Sequence, residues 1–247
     1  MRRLIYFISD LHLGYFEPMK EKERQELFLS FLDTLPINES TLIIVGDLFD
    51  FWFDYHFVIP KNFFKIIAKL GEFKSKGGEI IYLMGNHDFG HFRFFREELG
   101  IDVIEGDLQA TFFGKKFYIS HGDGKIANDY GYLILKKFLR NRLVQSLFRL
   151  IHPDVGIWIA SGSSRKSRNY TTGRRKKDFN SLFEFAKRKI DDGFDFVVMG
   201  HSHKAELKQY KGGVYVNLGS WLDTPLCGIF DGSNYELIEV EKIIINK

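Results

Sequence analysis

Five short polar motifs each begin where an apolar run ends, and this placement limits the folds open to the chain more than any other feature. A single buried histidine or aspartate is most often a core or capping residue. The carboxyl ends of neighbouring strands, however, open on one crevice, where residues distant in sequence can meet. Five such placements therefore predict one shared site. The motifs are Ser9-Asp10-Leu11-His12, Gly46-Asp47, Gly85-Asn86-His87-Asp88, Ser120-His121-Gly122 and Gly200-His201-Ser202-His203.

The apolar runs are short, bounded by turn residues and typical of buried strands. They are Leu4–Ile8, Leu42–Val45, Ile80–Met84, Lys116–Ser120, Phe196–Met199 and Val214–Asn217. Between them lie apolar stripes with helical spacing, which span Leu27–Leu35, Phe63–Leu70 and Phe179–Ile190. This alternation predicts an α/β fold in which helices cover the sheets.

The length and the 45% apolar content fit a single domain over residues 1–247. Within it we predict an insertion at about residues 129–177, where twelve Lys and Arg face only two acids, Asp129 and Asp154. The part rich in Ser, Gly and Arg, Ser161–Lys177, is predicted to be a loop. The basic charge is consistent with solvated surface and also with a functional role.

Cys227 is the only cysteine, so the chain cannot form an internal disulfide. The N-terminus lacks a signal-peptide pattern, because the strand-like Leu4–Ile8 is followed at once by Asp10. No apolar run reaches the roughly 20 residues of a membrane-spanning helix. We therefore expect a cytoplasmic protein whose membrane contact, if any, is peripheral.

Seven side chains in the motifs are candidate metal ligands. They are Asp10, His12, Asp47, Asn86, His121, His201 and His203. Carboxylate, imidazole and amide oxygen form a mixed nitrogen and oxygen set, which suits Mn²⁺, Fe²⁺ or Zn²⁺ better than Mg²⁺ or Ca²⁺. Seven ligands are more than one ion takes while it keeps an open position. We expect two divalent ions that share Asp47, with Mn²⁺ as the first choice of metal.

In this order, the motifs resemble those of the calcineurin-like metallophosphoesterase superfamily. The resemblance implies a β-sandwich of mixed sheets flanked by helices, with a helical lid as the insertion. It also implies that Asp10, His12, Asp47 and His203 hold one ion, and that Asp47, Asn86, His121 and His201 hold the other. Ions roughly 3.5–4 Å apart would activate a water for in-line attack on a phosphoryl group.

His87 and Asp88 are the candidate catalytic residues. Because His87 cannot easily chelate beside Asn86, we expect it to stabilise the transition state or to protonate the leaving oxygen. Asp88 would orient the imidazole of His87. The alternative for Asp88 is a structural role, in which it caps the following turn.

Longer segments resemble the UDP-2,3-diacylglucosamine hydrolases, in the branch that has His rather than Arg in the Gly-Asn-His-Asp motif. The segments are Gly46–Phe53, His121–Tyr132 and Ser164–Arg168. Such enzymes attack the α-phosphate of a UDP-linked, twice-acylated glucosamine and release UMP and lipid X, which is used to build lipid A. The resemblance implies that Asp129 and Tyr132 contact the sugar and uridine region. It also implies that Arg165, Ser167 and Arg168 line the phosphate side.

Residues 132–151 combine a wide apolar face with interleaved Lys and Arg. A basic amphipathic helix of this kind can bind two acyl chains and rest on an anionic membrane. A helix hairpin that packs the face internally is the alternative, and both can hold for different residues. The apolar positions are Tyr132, Leu133, Leu135, Phe138, Leu139, Leu143, Val144, Leu147, Phe148 and Ile151.

Two other functions compete with this interpretation. A broad phosphodiesterase or nuclease would bind a nucleic-acid backbone with the basic segment, but it leaves the apolar face unexplained, so nucleic acid is not the expected partner. A metal-bearing scaffold without catalysis is disfavoured, because no ligand is missing. His56, His91 and His152 match no ligand motif, and we expect them at the surface or in packing. No feature of the sequence specifies an oligomeric state.

Overall fold

The structure, a computed structural model, describes residues 4–125, 130–159, 162 and 175–245. Within them the strands are β1 Leu4–Ile8, β2 Ser40–Val45, β3 Glu79–Leu83, β4 Val103–Ile104, β5 Leu108–Phe112, β6 Lys115–Ser120, β7 Phe196–Met199, β8 Glu206–Tyr210, β9 Gly213–Asn217, β10 Leu226–Phe230 and β11 Tyr235–Glu239. The helices are α1 Pro18–Thr34, α2 Phe64–Ser75, α3 Phe94–Leu99, α4 Tyr130–Leu139, α5 Arg142–Phe148, α6 over residues 153–159, α7 Arg175–Asp191 and α8 Val240–Ile245. Short 3₁₀ turns cover Ile37–Glu39 and Lys61–Phe63.

The strands form two mixed sheets, with the orders β11-β10-β1-β2-β3-β4 and β5-β6-β7-β9-β8. In the first sheet β1 to β4 run parallel, and β10 pairs antiparallel with both β1 and β11. In the second, β6, β7 and β9 run parallel between the antiparallel edges β5 and β8. The loops after the parallel strands of both sheets meet at one edge, where His201 N donates to Asp10 Oδ2 at 2.9 Å. The predicted α/β fold with mixed sheets is confirmed.

Alternate side chains of the central strands point into different layers. In β1, Phe7 lies in the core between the sheets, whereas Tyr6 packs against the helices on the outer face. Phe117 of the second sheet lies 5.9 Å from Phe7 and 4.6 Å from Phe196, between ring centroids. Both faces of these strands are buried, which is why they show as continuous apolar runs in the sequence.

Helices cover the outer face of each sheet. On the first sheet, α1, α2, α3 and α8 share one apolar cluster, in which Phe28 and Phe31 of α1 both pack edge-on against Trp221. On the second sheet, α7 buries Leu182 and Ala186, which are four residues apart and so lie on one helix face. The helices predicted from these stripes are confirmed as α1, α2 and α7, although Phe64 of the α2 stripe is exposed rather than buried.

The described part of the insertion contains three short helices, α4, α5 and α6, rather than one amphipathic helix. Asn141 separates α4 from α5. Its Oδ1 accepts a hydrogen bond from Leu143 N at 2.9 Å and so caps the N-terminus of α5. The predicted loop Ser161–Lys177 lies mainly outside the described residues, and residues 175–177 belong to α7 instead.

The apolar side chains of this lid divide between two surfaces. Leu139 and Phe148 line a cavity beneath it, whereas Leu150 and Trp158 are 82% and 76% exposed. The segment therefore has both covered and exposed apolar side chains, and its binding of acyl chains and of membrane stays a prediction. Among the helices that the structure describes, none is long and apolar enough to cross a membrane.

Candidate metal centre

The loops that carry the candidate ligands are built on strained backbone. In the described chain, non-glycine residues adopt positive φ at seven positions, and five of these are candidate ligands with φ between 48° and 67°. Such a conformation costs about 1–3 kcal/mol for a non-glycine residue and persists only where the surroundings impose it. The five are Asp10, His12, Asp47, His201 and His203.

Two glycines let the loops approach one another. A Cβ atom on Gly85 would lie 2.1 Å from Oδ1 of Asp47, and one on Gly200 would lie 2.1 Å from Oγ of Ser9. Neither position has room for a side chain. This close packing explains why glycine precedes the polar residues in both motifs.

Asp10, His12 and His203 form the first cluster of donor atoms. The Nε2 atoms of the two histidines are 3.1 Å apart, and Asp10 Oδ1 lies 3.6 Å from that of His12 and 3.2 Å from that of His203. Two imidazoles on one ion, each about 2.1 Å from it, hold their nitrogens roughly 3.0–3.4 Å apart. Asp10 Oδ1 is buried and accepts no hydrogen bond, which is costly unless a cation neutralises it. The cluster therefore fits a metal ion.

Asn86, His121 and His201 form the second cluster. Asn86 Oδ1 lies 2.9 Å from His121 Nε2 and 2.7 Å from His201 Nδ1. His121 Nδ1 lies 2.9 Å from the carbonyl oxygen of Val45 and donates its proton there, which leaves Nε2 as the nitrogen that would face an ion. Burial alone would lower the pKa of His121, but Asp47 raises it well above its ordinary value, so a metal ion would have to displace the Nε2 proton. Burial lowers the pKa of His201 to about 4, so its imidazole is neutral at pH 7. Neutral imidazoles are the form that binds metal.

Asp47 lies between the two clusters. Its Oδ2 is 3.7 Å from His12 Nε2 and 3.3 Å from His121 Nε2, whereas its Oδ1 accepts a hydrogen bond from His87 N at 2.8 Å. Burial alone would raise the pKa of Asp47, but His121 and the neighbouring histidines hold that pKa far below its ordinary value. A single carboxylate oxygen thus faces both clusters, which is the arrangement that bridging requires.

All seven candidate ligands predicted from the motifs are brought together at this one edge of the sandwich. Their nitrogen and oxygen donors, with no thiolate among them, suit a divalent ion of the Mn²⁺, Fe²⁺ or Zn²⁺ group. Their individual roles as ligands stay predictions. The sets of donor atoms that lie within 4.8 Å of one another are Asp10, His12 and His203; His12, Asp47 and His87; and Asp10, Asp47 and His121.

Asp50 belongs to the site and was missed by the sequence analysis. Its Oδ1 lies 3.4 Å from His12 Nδ1 and 3.7 Å from His87 Nδ1, and its carbonyl oxygen lies 3.2 Å from His87 Nδ1. A carboxylate at one imidazole nitrogen fixes the tautomer, so that the other nitrogen can face a metal ion. The sequence signal that could have identified Asp50 is its position three residues after Asp47, in the segment Gly46–Phe53.

Asp88 is not placed to orient His87, so that expectation is wrong. Its Oδ1 accepts a hydrogen bond from Gly85 N at 2.7 Å, and its Oδ2 accepts from Leu48 N at 2.9 Å and from the Tyr82 hydroxyl. These bonds close the turn after β3 and tie it to the loop after β2. Asp88 therefore has a structural role, although it bonds the preceding turn rather than capping the following one, and Asp50 takes the position beside the imidazole.

Helix α4 of the lid is anchored to two of the ligand loops. Asp123 Oδ2 accepts a hydrogen bond from the Tyr132 hydroxyl and lies 2.6 Å both from that oxygen and from Lys136 Nζ. Arg140 donates to the carbonyl oxygen of Gly85 at 3.0 Å. Burial alone would raise the pKa of Asp123, but His121, His201 and Lys136 hold it below its ordinary value. The lid is thus fixed against the centre from both sides.

Of the predicted substrate-binding residues, Tyr132 lies in the described part of the chain. It lines the cavity beneath the lid, with its ring centroid 6.3 Å from that of His201. His91 is buried in packing, and His56 and His152 are exposed, so these three do not join the centre. Asp129, Arg165, Ser167 and Arg168 lie outside the described residues.

A cavity of about 290 Å³ opens beside the centre. Asp50, Asn86 and His87 line one end of it. The remainder is mainly apolar and is enclosed by the lid and the loop after β2. Its apolar lining consists of Phe51, Phe53, Phe89, Leu135, Leu139, Val144, Phe148 and Ile159.

The fold and this polar centre define a class of enzyme, and sequence comparison gives the same class. Residues 3–205 match the calcineurin-like phosphoesterase family. The chain belongs to that family and is a metal-dependent hydrolase of phosphoric esters or pyrophosphates.

Curated relatives are similar over nearly the whole chain. The UDP-2,3-diacylglucosamine hydrolase of Porphyromonas gingivalis is 29% identical, and the alignment covers 98% of this chain and 99% of that protein. The Haemophilus influenzae (strain PittGG) protein of the same name is 27% identical, with 87% of this chain and 90% of that protein covered. A solved phosphoesterase from E. coli matches at 15% identity and a TM-score of 0.47, covering 97% of this chain and 94% of that one.

Proposed function

We propose that this enzyme hydrolyses the pyrophosphate bond of UDP-2,3-diacylglucosamine at the α-phosphate, giving UMP and 2,3-diacylglucosamine 1-phosphate, the lipid X of lipid A biosynthesis. Similarity to hydrolases of that name along almost the whole chain supports the substrate. The observation that carries the proposal is the cavity, which runs from Asn86 and His87 into an apolar chamber under the lid. A diphosphate that carries acyl chains is polar at one end and apolar at the other, as the cavity is. A nucleic acid has no acyl chain to fill the apolar chamber.

Two divalent ions are the proposed cofactors, with Mn²⁺ preferred and Fe²⁺ or Zn²⁺ as alternatives. When bound, such ions lower the pKa of a water and neutralise charge on the phosphoryl group. Asp10, His12 and His203 would hold one ion, Asn86, His121 and His201 the other, and Asp47 both.

His87 would act on the phosphate that leaves. It lines the cavity and donates from Nδ1 to the carbonyl oxygen of Asp50, which makes Nε2 the nitrogen that would meet the substrate. There, as an imidazolium with a proton on each nitrogen, it would neutralise the leaving oxygen or give it the Nε2 proton, a contribution of about 10²–10⁴ in rate. Tyr132 and Lys136 line the same cavity and would contact the sugar and its phosphates.

We place the enzyme in the cytoplasm, peripheral on the inner face of the inner membrane, where a lipid-linked substrate would be found. The exposed apolar side chains of the lid support this proposal, and Leu150 and Trp158 are the most exposed of those that the structure describes. The exposed Lys137 and Arg142 lie on α4 and α5 of the same lid and would attract anionic lipid.

Product analysis in ¹⁸O-labelled water tests the proposal. Mn²⁺-loaded protein is incubated with UDP-2,3-diacylglucosamine, and bis-p-nitrophenyl phosphate and single-stranded nucleic acid are run in parallel. We expect UMP and the acylated sugar phosphate at a rate far above the other two substrates, with the label in UMP because the attack is at the α-phosphate. Label in the sugar phosphate would contradict the site of attack. Cleavage of only the generic ester or the nucleic acid would indicate a broad phosphodiesterase or nuclease instead.

A further inference from the structure

Two cavities lie on opposite sides of one aromatic wall. The first is the cavity of about 290 Å³ that opens on the metal centre, and the second has a volume of about 480 Å³. Phe53 and Phe148 line the first cavity, whereas their chain neighbours Asp54 and Arg149 line the second. The partition between the cavities is therefore made by residues of the β2 loop and of α5.

The partition consists of two layers of rings, because Phe53 and Phe148 line the first cavity whereas Tyr55 and Phe92 line the second. The ring centroid of Phe53 lies 4.8 Å from that of Phe148, 5.1 Å from that of Tyr55 and 5.2 Å from that of Phe92. On the far side, the Arg149 guanidinium lies 4.0 Å from the centroid of Phe92. We call Phe53, Tyr55, Phe92 and Phe148 the end wall. Phe53 thus contacts each of the other three rings, so a ligand that reaches further has to push packed rings apart.

Helix α6 holds the end wall in place from the lid side. A Cβ atom on Gly156 would lie 2.3 Å from the Tyr55 hydroxyl and 3.1 Å from the Phe148 ring. The backbone of α6 therefore rests directly on these two side chains. The wall is a packed boundary that a ligand would have to deform.

We infer that the end wall sets the length of the acyl chain that the enzyme accepts. The inference rests on the proposed function, because it needs an acyl chain that enters beside Asn86 and His87. Such a chain runs along the apolar cavity until it meets the Phe148 ring. A longer chain must displace packed rings and a shorter one leaves space unfilled. A misfit of one methylene group in an apolar pocket changes kcat/KM by about tenfold or more.

Phe148→Ala tests the inference, with Leu139→Ala as the matched control. Leu139 lines the same cavity but lies toward the metal centre rather than at the end wall. Its neighbour Arg140 donates a hydrogen bond to the carbonyl oxygen of Gly85 there. The kcat/KM of each protein is measured over a series of acyl-chain lengths, and each profile is scaled to its own maximum. We expect the Phe148→Ala optimum to move to longer chains by at least two carbons. Leu139→Ala should lower kcat/KM at every length and keep the native optimum.

An unchanged optimum in Phe148→Ala, or an equal shift in Leu139→Ala, would overturn the inference. Thermal unfolding shows whether each variant is folded. If Phe148→Ala is not folded, Phe148→Leu replaces it, with an expected optimum between that of the native protein and that expected for Phe148→Ala. If the native protein releases no UMP from any acylated substrate, the proposed function fails, and the inference fails with it. A native protein that turns over all lengths equally contradicts only the end wall.

Discussion

Oδ1 of Asp50 lies 3.4 Å from Nδ1 of His12, while Nε2 of the same imidazole faces Asp10 and His203. This contact holds the ring in the tautomer that metal binding needs. We predict that Asp50→Asn weakens Mn²⁺ affinity by about 10–100-fold, the usual cost of losing such a partner. The rate at saturating Mn²⁺ should fall less than the affinity does.

Calorimetric titration of Mn²⁺ into the purified protein checks this prediction. Asp33→Asn is the control, because Asp33 is exposed and pairs with Lys69 on the helical face away from the centre. Equal Mn²⁺ affinity in the native protein and Asp50→Asn would remove Asp50 from the metal site.

His87 has a position that allows two roles. Its ring centroid lies 4.8 Å from that of His12, and its donor atoms fall within reach of the same cation as those of His12 and Asp47. We expect His87→Ala to lower kcat by about 10²–10⁴ while the bound metal is retained, because the residue acts on the leaving group. Steady-state kinetics and metal analysis distinguish the roles, with the exposed His56→Ala as control. Loss of metal would make His87 a ligand, and unchanged kinetics would remove it from the mechanism.

Most inner strands and the cluster of candidate ligands were predictable from the sequence, but the sheet edges and the inner strand β10 were not. Strands β5 and β8 alternate half-buried and exposed residues, so neither contains an apolar run. Strand β4 has only two residues, and β10 and β11 were also missed. Each of these strands depends on pairing with a neighbour that lies elsewhere in the sequence.

Within the site, the residues that come together were predictable from the sequence, whereas the pairing of carboxylates with imidazoles was not. Asp88 is next to His87 in the sequence, whereas Asp50 lies beside it only in the folded chain. The backbone conformation therefore decides which carboxylate faces the imidazole. Asp47 has φ of 53°, and this strained turn places Asp50 beside His12 and His87. Sequence spacing contains no information about such a turn for a residue other than glycine.

His91 is predicted to make the protein less stable in acid. It is buried among aromatic side chains, stacked on Trp52 and edge-on to Tyr82 and Phe95. Its ring nitrogens have no hydrogen-bond partner in the described structure, and burial lowers its pKa from 6.5 to about 3. The unfolded chain therefore binds a proton below about pH 6.5 that the folded protein excludes until about pH 3. His91 should thus reduce stability as the pH falls, by up to about 1.4 kcal/mol per pH unit.

His91→Phe keeps the aromatic packing and should remove this part of the pH dependence. The free energy of unfolding, measured by denaturant titration between pH 7 and pH 4, should fall less steeply in the variant than in the native protein. Identical slopes for the two proteins would show that His91 is protonated in the folded state or does not titrate in this range.

The exposed apolar residues of the lid are predicted to bind membrane. Leu150→Ser combined with Trp158→Ser should reduce binding to phosphatidylglycerol vesicles, because about 1.5–3 kcal/mol is lost for each large apolar side chain that no longer inserts. Met19→Ser combined with Ile245→Ser is the control, since both residues are 80% exposed but lie on α1 and α8. Vesicle co-sedimentation measures the effect. Equal binding by the two double variants would contradict a membrane-facing lid.

We propose that one centre binds two divalent ions through the shared carboxylate of Asp47, whose Oδ2 lies within 3.7 Å of donors in both clusters. Equilibrium dialysis with Mn²⁺, followed by metal analysis and a turnover assay on the same samples, tests it most directly. We predict two ions per native chain, at most one in Asp47→Ala, and no turnover by that variant. A native chain that binds only one ion, or an Asp47→Ala variant with near-native rate, would contradict the account.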